Sequence, residues 1–178
     1  MMVLLKNESR VIHFGSANLR RNCSEGKIKE MSWSTMPFGK YKGKTLPEII
    51  VNDLDWFYWV LPKLYGKLEA EAQDLARKVR AIKIPGPRRK KLKVEYQYER
   101  DDRFRGFSFV KVGCGEYSRW STRLPYLDLS RCLRRQYDKR GGRILLRDFR
   151  RHYFGKNKRL TKKRCEKFFS DRRNFIGA

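Results

Sequence analysis

The segment Ile84-Pro85-Gly86-Pro87-Arg88-Arg89-Lys90-Lys91 constrains this chain more than any other. Its prolines remove backbone donors and fix φ, and its four consecutive cations resist leaving water, so neither a helix interior nor a core will hold it. The chain is therefore expected to fall into two parts, 1–84 and 93–178, joined by a basic linker at 85–92. Charge divides unevenly between them. Residues 1–84 carry 15 basic and 9 acidic groups and residues 85–178 carry 29 and 10, so most of the net +25 lies in the second part.

A surplus of that size on a folded surface implies a polyanionic partner, and nucleic acid is the commonest. With 40% apolar and 13% aromatic residues the chain has enough to build packed cores. No stretch approaches the roughly 18 uninterrupted apolar residues of a spanning helix, and Met1 to Leu5 is too short for a signal peptide's apolar region. No membrane partner is expected. The expected location is the cytoplasm, either nucleoid-associated or, for a phage-encoded chain, in the host cell. Cys23, Cys114, Cys132 and Cys165 are scattered without a CxxC pair, which reads as free thiols; no metal or other cofactor is expected, even with His13 and His152 available.

Apolar periodicity places a short strand at residues 11–14 and a loop from 15 to 32. It then gives three helices between 46 and 82, begun by Leu46, Leu54 and Leu68, with Pro62 and Gly66 separating the last two. After the basic segment, Leu92, Val94, Tyr96 and Tyr98 alternate with polar residues, and Phe107, Phe109, Val110 and Val112 follow a charged turn, the pattern of a β-hairpin. Three basic helices follow: one near Leu129 to Tyr137 ending at Gly141-Gly142, one at 144–154 and one at 160–175. The expected fold class is α+β: a small hairpin-plus-helices module, then a basic β-hairpin with a three-helix, helix-turn-helix-like module.

The most distinctive stretch is Met36-Pro37-Phe38-Gly39-Lys40-Tyr41-Lys42-Gly43-Lys44 with Leu46, Ile49, Leu54 and Trp56 after it. Over about residues 35–82 it resembles the small domain of unknown function found at the C-terminus of exodeoxyribonuclease X-like proteins and as stand-alone bacterial and phage proteins. The resemblance rests on Phe38, Gly39, Lys40, Lys42, Gly43, Leu46, Ile49, Leu54 and Trp56 and leaves the second part unmatched. It implies an accessory substrate-binding module, without the nuclease domain of the longer proteins. On the residues themselves, Lys40, Lys42 and Lys44 alternate onto one side of a short extended stretch and would follow a phosphate backbone; the alternative is an exposed edge kept soluble by lysines, with Phe38 and Tyr41 in the core. Tyr41, Trp56 and Trp59 are candidates for stacking on bases, although packing among three helices with Trp33 is the weightier reading of the tryptophans.

In the second part, Arg131, Arg134 and Arg135, with Arg123 from the preceding loop, oppose Leu129, Cys132 and Leu133 and form a basic helix face. The last helix, capped by Thr161, places Lys162, Lys163 and Arg164 in its first turn and Lys167 one turn on, where groove contacts arise in helix-turn-helix units. The linker adds Arg88, Arg89, Lys90 and Lys91. Acidic residues are scattered (Asp101, Asp102, Asp128, Asp138, Asp148), and Tyr126, Tyr137 and Tyr153 lack a histidine pair, so no self-contained active site is expected. The reading is a non-catalytic nucleic-acid-binding protein of bacterial or phage type, with DNA ahead of RNA, acting by phosphate contacts with limited base or stacking contacts. Two alternatives stand beside it: a subunit or inhibitor of a larger nucleoprotein complex, and a Mg²⁺-dependent nuclease or nickase with a dispersed site.

Overall fold

The computed structural model describes residues 32–86, 91–113, 115, 119–131, 139–156 and 158–177. Thr45 opens helix α1 (Leu46–Asn52) in a capping box with Glu48, whose carboxylate accepts from the Thr45 N–H at 3.1 Å, and Pro47 stands in the first turn, where its missing donor is not needed. Asp53 ends α1 and caps α2 (Leu54–Val60), accepting from the Trp56 N–H at 3.1 Å. A 3-10 turn at Leu61–Lys63 leads into α3 (Gly66–Lys78). These helices and their breaks follow the apolar spacing. The strand expected at 11–14 lies outside the described residues.

Beyond the basic segment, β1 (Leu92–Tyr98) pairs antiparallel with β2 (Phe104–Lys111), setting Val94 opposite Phe109 and Tyr96 opposite Phe107, as the alternation predicts. A third strand, β3 (Ser121–Leu124), which the periodicity does not reveal, pairs antiparallel with the other edge of β1 and gives the order β2-β1-β3. Four residues carry little pattern of their own. The second edge of β1 recruits them, because its peptide groups need partners in the ladder.

Helix α4 (Lys139–Phe154) and helix α5 (Lys162–Ser170) follow, then a 3-10 turn at Arg172–Asn174. The start of α4 corrects the expectation. Gly141 and Gly142 do not end a helix; they are buried near the beginning of α4, and a Cβ on Gly142 would stand 3.4 Å from Oδ1 of Asp55 in α2. Glycine here sits inside the helix with its open side toward Asp55, a placement that local sequence cannot separate from chain breaking. Most of the helix expected near Leu129 to Tyr137 falls on residues 132–138, outside the described residues.

The core also runs across the expected boundary. Ile82 bridges both Leu127 and Phe175, the Lys83 N–H donates to the Asn174 carbonyl at 2.8 Å, and the Trp33 indole donates to Ser170 Oγ at 3.0 Å. Helix α1 packs against α5, and α2 against α4. Ile49, Phe57 and Leu75 thus share one buried cluster with Tyr96, Phe149, Phe169 and Phe175. Over the described residues, the separation into 1–84 and 93–178 gives way to a single core. Pro85 and Gly86 are exposed, and the run they begin does not mark an end of packing.

Candidate functional site

Helix α4 is built to present one face. Gly141, Gly142, Leu145, Leu146, Phe149 and Phe154 are buried, α4 lies against β2, and Phe149 meets Tyr153, Phe154 and Phe168 in ring contacts at 4.9 to 5.7 Å. The opposite side exposes Lys139, Arg140, Arg143, Arg147 and Arg151. Four of these recur every fourth residue, so they form one stripe with about 6 Å between successive positions along the axis. Arg147 Nε donates to Asp148 at 3.1 Å. Among the described residues, none of the other four has a carboxylate partner within 4.0 Å. His152 stays off the stripe: it packs against Phe109 at 4.8 Å and Phe107 at 5.4 Å, and burial, aided by Arg151 and opposed by Asp148, lowers its pKa and favours the neutral ring.

The sequence reading missed all five cations. Their signal is plain once the helix begins at Lys139; starting it after Gly142 removes the first turn and hides the spacing.

In α5, Lys162, Lys163 and Lys167 are exposed, as expected, while Cys165 and Phe169 are buried. Arg164 departs from expectation. Its guanidinium donates to the carbonyls of Phe154 and Arg159 and lies 5.6 Å from the Phe154 ring, so it holds the end of α4 against α5. Arg131 is half-buried beside the Tyr96 ring at 5.5 Å. Arg123 is in β3, not a loop, and pairs with Glu95 at 2.7 Å with both side chains nearly buried. Lys91 is exposed at the start of the sheet. Arg88, Arg89, Lys90, Arg134 and Arg135 lie outside the described residues.

The lysine motif differs in form from the sequence expectation. Residues 38–43 form a tight turn, closed by the Gly43 N–H donating to the Met36 carbonyl and the Met36 N–H donating to Lys44, each at 2.8 Å, with Gly39 and Gly43 at φ +72° and +81°. No extended face aligns the three lysines. Lys40 pairs with Asp53 at 2.9 Å and Lys44 with Glu48 at 3.4 Å, while Lys42 is exposed. Tyr41 donates its hydroxyl to Asp53 at 2.9 Å and sets its ring edge-on to Trp56 at 4.9 Å, so Tyr41 and Trp56 are committed to packing around the turn. Trp59 is exposed, but the Lys63 ammonium lies over its ring at 3.1 Å from the centroid.

Several of the residues weighed for catalysis have structural employment, and Tyr137 and Asp138 lie outside the described residues. The Tyr153 hydroxyl donates to the Lys83 carbonyl at 3.0 Å, and burial pushes its pKa well up. Asp128 is buried and accepts from the Ser130 N–H and Oγ at 2.8 and 2.6 Å. Asp101 pairs with Arg103 in the hairpin turn. Burial, with Glu48 nearby, pushes the Cys165 thiol up to about 11, leaving it protonated; Cys23, Cys114 and Cys132 lie outside the described residues. Among the described residues, no three His, Cys, Asp or Glu side chains converge as metal ligands, and no helix is long and apolar enough to cross a membrane. No family model, curated protein or solved structure matches the chain.

Proposed function

We propose that this protein binds DNA through the outer face of α4 and the first turns of α5, with phosphates as the principal ligands. The observation that supports this most directly is the stripe of Lys139, Arg143, Arg147 and Arg151 on a helix anchored to the sheet and to α2. Cations about 6 Å apart on a rigid rod are spaced comparably to neighbouring phosphates of one strand, and the helix fixes them before the ligand arrives. Lys162, Lys163 and Lys167 extend the positive surface. Fifteen basic residues against three acidic between 139 and 177 keep the local field strongly positive.

The test is a salt series with labelled duplex DNA, single-stranded DNA and RNA. Affinity for DNA should fall log-linearly with salt, with a slope of about 0.9 per duplex phosphate neutralised. Replacing Lys139, Arg143, Arg147 and Arg151 together by alanine should reduce that slope by about four. A fourfold variant with the wild-type slope would sink the assignment to α4. Weak, indiscriminate wild-type binding would point instead to a protein or nucleoprotein partner.

A further inference from the structure

A groove of about 330 Å³ opens between the 34–38 segment and the start of α3. Its walls are Pro37 and Phe38 on one side and Leu64, Tyr65 and Leu68 on the other, with Lys67 at the margin. Both of its aromatic rings stand beside a turn glycine and are exposed. Phe38 precedes Gly39, and Tyr65 precedes Gly66, each glycine in the left-handed region at φ +72° and +64°. Tyr65 is 78% exposed and Phe38 38% exposed, unusual values for aromatic rings in a chain whose other large side chains mostly fill the core. The volume lies at the small end of ligand sites, too small for an extended ligand and suited to a single flat ring.

From this we infer that the groove receives one unpaired base of a single-stranded DNA segment, an inference that rests on the DNA-binding reading above. Charge complementarity favours this occupant over a hydrophobic peptide. None of the groove's lining residues is acidic. Lys67 is 75% exposed and only loosely paired with Glu71 at 3.8 Å, which leaves its ammonium able to turn to a phosphate. Glu71 itself is held by the Ser34 N–H and hydroxyl at 3.0 and 2.9 Å. A base in duplex is stacked on both faces, whereas an unpaired base can give a face to Tyr65 or Phe38; such stacking tolerates any base.

The experiment uses the full chain and a single-stranded oligonucleotide carrying 2-aminopurine, with a duplex of the same sequence as control. Binding should quench 2-aminopurine fluorescence. Tyr65→Ala should remove most of the quenching and weaken single-strand binding by about tenfold. Duplex binding and the thermal unfolding midpoint should not change, and Tyr65→Phe should retain the quenching. Phe38→Leu provides a second, milder loss from the other wall. Unchanged quenching and single-strand affinity in Tyr65→Ala would overturn the groove assignment while leaving α4 intact. A wild-type chain that binds neither DNA form would overturn both readings at once.

Discussion

Helices α1–α3 and helices α4–α5 share one core and treat their surface charges in opposite ways. Between residues 32 and 86, nine cations meet six carboxylates, and pairs form at Lys40–Asp53, Lys44–Glu48, Lys67–Glu71, Arg77–Asp74 and Lys78–Asp74. Between 139 and 177, fifteen cations meet three carboxylates. Exposed pairs contribute little to stability, so the main effect of the first arrangement is to cancel the local field. The second leaves the field standing, at the cost of self-repulsion. An anion supplied from outside, such as the proposed DNA, would offset that repulsion.

The largest expected effect tests that contrast directly. Removing the four stripe cations of α4, Lys139, Arg143, Arg147 and Arg151, should lower duplex affinity on the order of a hundredfold at moderate salt, while alanine at Lys40, Lys44 and Lys67 should change it by no more than a few fold. Equal losses from the two sets, read by fluorescence anisotropy, would erase the distinction.

A cation of the second part that is paired gives the control. Arg123 and Glu95 are 8% and 13% exposed and 2.7 Å apart, so Glu95→Ala removes the carboxylate partner of a nearly buried guanidinium that still reaches the Gly115 carbonyl, and should destabilise the fold by up to about 3–5 kcal/mol in chemical denaturation. The salt slope of DNA binding at temperatures where the variant remains folded should stay at the wild-type value. A changed slope would place Arg123 among the binding groups.

The next smaller effect comes from the turn that organises the first arrangement. Gly39 is at φ +72° and a Cβ there would lie 3.3 Å from Cζ2 of Trp56. Gly39→Ala should cost about 1–2 kcal/mol for the left-handed backbone alone, with added displacement of Trp56. If binding by α4 fell as well, the two sets would be coupled through the core.

Which of these features the sequence reveals depends on how far apart the determining residues lie. The three helices after Thr45 and the β1–β2 hairpin are legible because their signals are local: caps, apolar period and turn residues within a few positions. The start of α4 is not legible, because Gly142 answers to Asp55, far away in the chain. The shared core is hidden for the same reason, since the partners of Ile82 are Leu127 and Phe175. For the candidate site, Lys162, Lys163 and Lys167 are readable from a capped helix, whereas Arg123 and Arg164 look like surface cations until Glu95 and the Phe154 carbonyl are placed beside them. Charge type is written in the sequence; whether a charge has a partner is a property of the fold.

The smallest effect isolates one pair's contribution by pH. Burial acts to raise the pKa of Asp53, but the Lys40 ammonium, the Trp56 N–H and the Tyr41 hydroxyl together hold it below its ordinary value of 3.8. A carboxyl depressed in the fold contributes stability that is complete above 3.8 and is lost as pH falls through the lowered value. Asn caps helices as well as Asp, so Asp53→Asn should keep α2 capped through its amide oxygen while removing the charge and the second oxygen that accepts from Lys40 and Tyr41. Near neutrality the variant should be less stable by under about 1 kcal/mol, and the difference should shrink toward zero as wild-type Asp53 itself becomes protonated. A difference that stayed constant from neutral pH into the acid range would show that Asp53 acts through hydrogen-bond geometry alone. The first arrangement would then be a set of hydrogen bonds decorated with charge, and the contrast with α4 would rest on the surplus of cations in the second part by itself.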